Sequence, residues 1–205
     1  MKNKFRFESF LRGVHVDLVL LDETVVKKTD WFKWMNVKEN TDLLQSGKFP
    51  NTLADQLNYL KNNLETKKTI LSNKKIKKKL QLGIVDKKTN LLVGMVTAYD
   101  FNYFNRTCAI SLITDLTKSL KNRLQIFKES QDLMIDHIFF KMNFRKIYSG
   151  AISESLSKLT ERVWGFKREG VRKEHGFVNG KYVDSYDLSL FRKDWIKNGD
   201  RRKKN

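Results

Sequence analysis

The order of strand-like and helix-like segments constrains the fold of this 205-residue chain more than any single residue does. Alternating β-branched residues predict a strand over 14–21, and apolar spacing predicts helices over about 24–35 and from Thr52 onward. A hairpin, a third strand, a long helix, a strand, a helix and a second hairpin are predicted after them. The order β-α-α-β-β-β-α-β-α-β-β predicts one α/β domain, with a central mixed sheet flanked by helices and a C-terminal β-hairpin.

Capping and turn residues mark where several of these elements begin and end. Thr52 and Asp55 have the three-residue spacing of a capping box, which predicts that a helix begins there. Gly165 is the type of residue that ends a helix in the left-handed conformation. Asn179 and Gly180 form the pair that type I′ hairpin turns favour. We therefore expect a capped helix after the first loop and a tight hairpin near the end of the chain.

The cysteine and histidine content argues against metal and disulfide chemistry. The single cysteine, Cys108, cannot form an intrachain disulfide or a cysteine-rich metal site. The three histidines, His15, His137 and His175, do not have the spacing of metal ligands. No apolar run reaches membrane-spanning length, and the first residues lack the apolar stretch of a secretory signal. We predict no metal, no membrane partner and a cytoplasmic location.

The formal net charge of +18 favours anionic partners such as nucleic acid, nucleotides and coenzyme A. Residues 61–79 carry +7 of this charge and residues 192–205 carry +5. We predict one domain over residues 1–197, followed by a basic tail over 198–205. Basic runs are commonly solvated or disordered, so the charge alone does not predict a nucleic-acid-binding protein.

Four stretches of the chain carry a resemblance to a known family. They cover residues 46–60, 91–111, 137–150 and 164–195, and the last contains Gly165-Phe166, Glu169-Gly170 and Asp184 at the spacings of that family. In these stretches the chain resembles the GCN5-related N-acetyltransferase (GNAT) superfamily, and within it the ribosomal-protein N-terminal and sugar-nucleotide N-acetyltransferases. The resemblance implies the GNAT fold and transfer of an acyl group from acyl-CoA to an amine.

The resemblance also implies where acyl-CoA binds. The pantetheine arm would follow the edge of one strand, and the pyrophosphate would lie on the backbone N–H groups that begin the next helix. The signature of that loop has small residues at two positions where this chain has Gln125 and Phe127. Charge from Lys118, Lys121 and Arg123 is expected to compensate in part; alternatively, the loop no longer binds phosphate. The implied acyl-CoA-binding residues are Leu112, Ile113, Thr114, Lys121, Asn122, Arg123, Gln125, Ile126 and Phe127.

Acylation of an amine by direct attack on a thioester needs a neutral amine, an oxyanion donor and an acid for the departing thiolate. Strand N–H groups near Ile113 are expected to serve as the oxyanion donor. Where many relatives have a tyrosine and an asparagine, this chain has Glu161 and Glu154, which are therefore the catalytic candidates. Alternatively, Glu161 is a surface carboxylate that pairs with Lys158 or Arg162.

Two hypotheses from different functional classes follow. The first is an N-acyltransferase that moves an acetyl or other acyl group from acyl-CoA to a primary amine, on a nucleotide-linked amino sugar or at a protein N-terminus, as a monomer or homodimer. The second is a GNAT-fold binding module with an impaired acyl-CoA site, in which Lys74–Lys79 and residues 201–205 bind RNA or another polyanion. The loop over residues 122–127 discriminates between them, because only the enzyme needs a working phosphate site.

Overall fold

Eight strands pair into one mixed sheet whose spatial order differs from their order in the chain. A computed structural model describes residues 5–41, 48–64, 66–69, 72–116 and 123–202. The strands are β1 Ser9–Arg12, β2 Val16–Leu20, β3 Thr66–Thr69, β4 Ser72–Lys77, β5 Lys79–Asp86, β6 Leu91–Asn102, β7 Thr107–Thr114, β8 Lys146–Ala151, β9 Lys167–Val178 and β10 Lys181–Phe191. The sheet has the order β1-β2-β5-β6-β7-β8-β10-β9, and β3 and β4 form a separate two-stranded ribbon.

In chain order the helices lie between the strands, and the last helix follows β10. They are α1 Glu23–Lys28, α2 Trp31–Trp34, α3 Lys38–Thr41, α4 Leu53–Leu64, α5 Arg123–Asp136, α6 Glu154–Trp164 and α7 Arg192–Arg202. A π-helical turn over His137–Lys141 extends α5. Strands β7 and β8 are parallel, whereas β1–β2, β2–β5, β8–β10 and β9–β10 are antiparallel. The predicted α/β class, with a mixed sheet, flanking helices and a C-terminal hairpin, is confirmed.

The chain divides into two compact units, each with its own buried apolar residues. Unit 1 comprises Met1–Thr97 and Leu112–Leu133, and unit 2 comprises Ala98–Ser111 and Met134–Asn205. The core of unit 1 is formed by Val19, Leu21, Val25, Val26, Trp31, Trp34, Leu60, Val85, Leu92 and Met95. The large buried side chains of unit 2 include Phe139, Phe144, Ile147, Trp164, Leu188 and Leu190. In the described part of the chain, no helix is long and apolar enough to cross a membrane.

The local capping and turn predictions are confirmed. Thr52 and Asp55 form a capping box, in which Thr52 N donates to the Asp55 carboxylate at 2.9 Å and Asp55 N donates to Thr52 Oγ1 at 3.1 Å. Gly165 ends α6 with a φ of 80°. Asn179 and Gly180 have φ values of 48° and 81°, as a type I′ turn requires. Each signal involves residues close together in sequence, which is why the sequence alone revealed it.

The prediction of one continuous helix over residues 24–35 is wrong. Asp22 caps α1 by accepting the Val25 N–H at 2.8 Å, and α1 ends at Lys28 because the next residue, Thr29, has an extended conformation with φ −121° and ψ 169°. The Thr29 hydroxyl donates to Val25 O at 2.7 Å, which satisfies a carbonyl at the helix end. A second short helix then begins at Trp31 and buries that side chain.

Five other elements were not predicted as such: β1, α3, α7 and the two strands of the β3–β4 ribbon, whose lysine-rich sequence indicated a loop or strand entry. Helix α7 contains the polar sequence RKDWIKNGDRR, which gives little helical signal of its own. Trp195 is buried, and its indole N–H donates to Asp136 Oδ1 at 2.7 Å, so a tertiary contact anchors α7. The division into a domain over residues 1–197 and a tail over 198–205 stays a prediction; residues 203–205 lie outside the described residues.

Candidate active site

The parallel strands β7 and β8 stay in register for only three residue pairs. These pairs join Thr107–Ala109 to Lys146–Tyr148. The next contact is the Ser149 hydroxyl, which donates to Ile110 O at 3.4 Å. Strand β7 itself continues to Thr114. The part of β7 beyond Ala109 is therefore the segment to which an extended ligand could add as a strand.

Leu112–Thr114, the predicted pantetheine-binding segment, lies in unit 1, and its three residues are half-buried. Strand β6 approaches it closely: a Cβ on Gly94 would come within 2.6 Å of the Ile113 carbonyl oxygen. Just beyond the segment, Asp115 N donates to Val93 O at 2.9 Å. Because a glycine allows this close approach of two backbones, the position of the segment is fixed by β6.

A buried asparagine fixes the chain where it leaves β7. Asn40, which is 8% exposed, donates from Nδ2 to Trp34 O at 2.8 Å and to Asp115 Oδ1 at 3.3 Å. Its Oδ1 accepts the Leu116 N–H at 2.6 Å. One side chain thus ties α2 and α3 to the two residues that follow β7.

Helix α5 begins at Arg123, and this start determines which backbone donors face the preceding loop. The N–H groups of the first three residues of this helix, 123–125, have no acceptor inside it, and the helix dipole favours an anion beside them. The Arg123 guanidinium donates to Leu116 O at 3.2 Å, so it joins the helix start to the end of β7. The predicted loop residues Lys118, Lys121 and Asn122 lie outside the described residues.

Gln125 and Phe127 stand where the loop signature has small residues, and the structure shows what each side chain contacts. Phe127 is 8% exposed and Ile126 is 4% exposed, so both side chains pack into the protein. By helix geometry the Phe127 N–H pairs with the Arg123 carbonyl, so Phe127 contributes packing rather than a backbone donor. The Gln125 amide nitrogen lies 2.6 Å from His15 Nε2. The roles of these residues in acyl-CoA binding stay predictions.

Helix α5 also holds the turn between β1 and β2. The Glu129 carboxylate accepts the backbone N–H groups of Val14 and of His15, the latter at 2.9 Å. A Cβ on Gly13 would come within 2.5 Å of Glu129 Oε1 and 2.8 Å of Val16 O. A glycine is therefore required where this turn meets the carboxylate.

Glu161, the first catalytic candidate, belongs to a polar cluster in unit 2. Its Oε1 accepts hydrogen bonds from Ser157 Oγ at 2.8 Å and from Arg168 Nη2 at 3.2 Å. Arg168 also donates to Ser157 Oγ at 3.1 Å, and its guanidinium lies 4.5 Å from the centre of the Tyr186 ring. About a third of the Glu161 side chain is exposed. The arrangement presents Glu161 as a hydrogen-bond acceptor.

The expected ion-pair partners of Glu161 are corrected by these contacts. Lys158 pairs with Glu154 instead, at 3.1 Å, and both of these side chains are more than half exposed. Arg168 is the cation beside Glu161, and it comes from β9 rather than from the same helix. Ser157 lies four residues before Glu161, a helical spacing that could have identified it; no local signal could have identified Arg168.

Burial and local contacts describe the remaining side chains that could react, which are Cys108, His137 and Tyr148. Cys108 is 1% exposed, and burial raises the pKa of its thiol to about 12. Burial, with a smaller effect from Lys141, lowers the pKa of His137. Tyr148, at the last register pair of β7 and β8, is 40% exposed and lies under the Lys146 ammonium at 4.6 Å. Among the described residues, no group of three His, Cys, Asp or Glu side chains could hold a metal ion.

The basic segment assigned to polyanion binding, Lys74–Lys79, spans the end of β4 and the start of β5. Lys79 lies over the Tyr59 ring at 5.6 Å. This contact uses one of the lysines for packing within unit 1.

No protein-family model matches the chain, and no curated protein matches it. Solved structures do. A spermidine N-acetyltransferase from Vibrio cholerae, in complex with CoA and spermine, matches with a TM-score of 0.71 at 16% identity, over 90% of this chain and 99% of that one. A GCN5-related N-acetyltransferase from Brucella melitensis matches with a TM-score of 0.67 at 20% identity, over 91% and 80%. A GNAT-family acetyltransferase from Bacillus anthracis matches with a TM-score of 0.66 at 14% identity, over 89% and 98%. At these identities the likeness establishes architecture rather than activity. The chain has the GNAT fold.

Proposed function

We propose that this protein is an acyl-CoA-dependent N-acetyltransferase. One observation carries the proposal: β7 pairs in register with β8 only as far as Ala109, but β7 itself continues to Thr114. Such a strand end offers backbone groups to a pantetheine arm. The fold supports the same function, because the structural neighbours are acetyltransferases and one of them was crystallised with CoA.

The residues at the start of α5 fit a pyrophosphate. Residues 123–125 supply helix N–H donors, and Arg123 adds a cation beside them. The bulk of Phe127 is buried, and the Gln125 side chain is engaged by His15, which supports a loop that works without the usual small residues. Acyl-CoA binding by Lys121 and Asn122 is part of the same proposal.

Glu161 is proposed to receive the proton that the amine loses. In the reaction the amine nitrogen attacks the thioester carbonyl carbon, the C–S bond breaks, and the amine proton taken up by Glu161 passes to the departing thiolate, so that the products are an amide and the free CoA thiol. The hydrogen bonds from Arg168 and Ser157 hold the Glu161 carboxylate in one orientation, in which its oxygens serve as acceptors. Glu154, the first residue of α6, is proposed as the second catalytic residue.

The acceptor is proposed to be an amine on a molecule that is not polycationic. The neighbour from Vibrio cholerae was crystallised with spermine, but a net charge of +18 repels a polyamine. The same charge attracts a nucleotide-linked amino sugar, which we favour over a protein N-terminus. A cytoplasmic location and a monomeric or homodimeric state accompany this proposal.

Thermal unfolding with acetyl-CoA tests the donor site. A ligand at about 100 times its Kd stabilises the native state by about 2.7 kcal/mol, so a shift in Tm is expected with acetyl-CoA. ATP and heparin serve as controls for general attraction to a basic surface. No shift with acetyl-CoA, or equal shifts with all three, contradicts the proposal and favours the binding-module alternative.

An assay of CoA thiol release from acetyl-CoA tests the acetyl transfer. The acceptors tried are amino sugar nucleotides, N-terminal peptides and polyamines. We expect Glu161→Gln to lower kcat roughly a hundredfold or more, because an amide cannot accept the amine proton. Glu174→Gln, an exposed glutamate on β9, is the matched control and should retain activity. Equal activity of the two variants would remove Glu161 from the mechanism.

A further inference from the structure

Unit 2 contains a basic cavity that the proposed acetyl transfer does not use. Its volume is about 370 Å³, and four cations line it: Arg106, Arg145, Arg192 and Lys193. Arg106 directly precedes β7, Arg145 directly precedes β8, and the other two directly follow β10. Because β7 and β8 are parallel and β10 is antiparallel to β8, these strand ends meet at one edge of the sheet. The predicted acyl-CoA segment occupies the last residues of β7 instead.

Main-chain hydrogen bonds connect the three arginines of the cavity. Arg192 N donates to Arg145 O at 3.0 Å, and Arg145 N donates to Arg106 O at 2.8 Å. Arg106 adopts a left-handed conformation with a φ of 51°, which is uncommon for a residue with a side chain. The Arg145 side chain is fixed further, because its Nε donates to Asn105 O at 2.9 Å. The backbone thus gathers three guanidinium groups at one place.

No carboxylate among the described residues forms an ion pair with any of these four cations. The Arg192 guanidinium donates to a neutral group, Asn143 Oδ1, at 3.2 Å. Asp194, the acid in the first turn of α7, pairs with Lys167 at 3.3 Å. Arg192 and Lys193 also stand at the start of α7, where the helix dipole disfavours positive charge. An anion in the cavity would relieve this repulsion.

Aromatic residues line the same cavity or neighbour its cations. Phe144 and Phe191 line the cavity, and the Arg192 guanidinium lies 5.3 Å from the centre of the Phe140 ring. Phe140 is 47% exposed, and Phe104, two residues before Arg106, is 96% exposed. A free phosphate would use the cations, but it would give these exposed rings no role. Phosphate-binding cations with exposed rings beside them are typical of proteins that bind single-stranded nucleic acid.

We propose that this cavity and its rim bind single-stranded nucleic acid. The four cations contact successive backbone phosphates, and bases stack on Phe104 and Phe140. The site differs from the lysine-rich segment Lys74–Lys79, and it does not depend on acetyl transfer.

Fluorescence anisotropy with a labelled oligouridylate of about twelve nucleotides, over a series of salt concentrations, tests the site. Each phosphate contact contributes about 0.7 to the slope of log K against log salt, so Arg145→Gln with Arg192→Gln should lower the slope by about 1.4 and weaken binding roughly tenfold. Phe104→Leu, a change at an exposed ring outside the packed core, should weaken binding about fivefold or more with little change in slope.

Lys88→Gln with Lys181→Gln is the charge-matched control, since both lysines are exposed and lie elsewhere in the chain. Equal losses in this control and in the arginine pair would show a general field and overturn the proposal. The proposal would also be overturned if Phe104→Leu bound the oligonucleotide as well as the wild type does. Displacement of the oligonucleotide by ATP at an equal phosphate concentration, or equal affinity for a duplex, would overturn it as well. Comparing the affinities for the oligouridylate and for an oligodeoxythymidylate of the same length shows whether the site prefers RNA or DNA, and binding of either supports the site.

Discussion

Glu129 and His15, more than a hundred residues apart in sequence, are joined by a 2.9 Å hydrogen bond from the His15 backbone N–H to the Glu129 carboxylate. The same carboxylate accepts the Val14 N–H, so the turn between β1 and β2 is bound to the second turn of α5. His15 also contacts Gln125 in the first turn of that helix. The start of α5, on which the proposed phosphate site depends, is therefore supported by the first hairpin of the chain.

Gly13→Ala should destabilise this turn. The added Cβ would meet Glu129 Oε1 at 2.5 Å and the backbone oxygen of Val16 at 2.8 Å, and the backbone oxygen cannot move without distorting the hairpin. We expect a loss of about 1–3 kcal/mol in the free energy of unfolding, measured by urea denaturation. In Gly170→Ala the nearest atom to the new Cβ is 3.8 Å away, so this control should unfold like the wild type. Equal stability of the two variants would contradict the geometry of the turn.

Asn40→Ala and Asn36→Ala should differ in cost although each removes three hydrogen bonds. Asn40 is buried, and its loss leaves the Leu116 N–H and the Trp34 carbonyl without this partner. Asn36 is exposed and bonds to Phe32 and twice to Asn51, where water can replace it. Urea denaturation should show a loss of about 2–3 kcal/mol for Asn40→Ala and about 1 kcal/mol for Asn36→Ala. Similar losses would mean that burial does not govern the Asn40 cluster.

Cys108 should resist alkylation in the native protein at pH 8. The thiol is 1% exposed and burial raises its pKa to about 12, so almost no thiolate is present to react. Mass spectrometry after iodoacetamide treatment should detect unmodified protein under native conditions and complete modification in guanidinium. Rapid labelling without denaturant would show that the strand containing Cys108 opens readily.

Glu169 should contribute to loss of stability in acid. The hydrogen bond from Lys146 and then that from Ser189, each 2.7 Å long, hold the pKa of Glu169 below its usual value of 4.5. Because the pKa is lower in the folded state, the stabilisation is present above the unfolded pKa and is lost as the pH falls through the folded value. Glu169→Gln should therefore narrow the difference between urea midpoints at neutral and acidic pH. Glu8→Gln, at an exposed glutamate before β1, is the control for the loss of one glutamate, and an equal effect of the two variants would contradict the role of the Lys146 and Ser189 hydrogen bonds.

The predictions that held depend on short-range rules. The capping box at Thr52 and the hairpin turn at Asn179 follow from a few adjacent residues, and the structure contains both. The fold class followed from the order of elements, which the sheet confirms. The resemblance to GNAT proteins added the strand and helix on which acyl-CoA binding is proposed.

The features that were missed depend on contacts between distant residues. Asn40 and Asp115 are 75 residues apart, and neither belongs to a recognisable motif. Helix α7 is held by the contact of Trp195 with Asp136, 59 residues earlier, which periodicity cannot reveal. Helical spacing predicts a partner for Glu161 on its own helix, whereas the fold brings Arg168 to it from the following strand. Local patterns specify elements, and tertiary packing selects the partners of polar side chains.

The main-chain hydrogen bonds that join Arg106, Arg145 and Arg192 have an evolutionary consequence. A backbone N–H or C=O is present whatever side chain the residue carries, so this junction of strand ends can persist while the three side chains change. Mutations there can raise or lower the local charge one residue at a time, with little penalty to folding. The same architecture can therefore gain an affinity for polyanions, or lose it, through substitutions that selection on stability would leave nearly untouched.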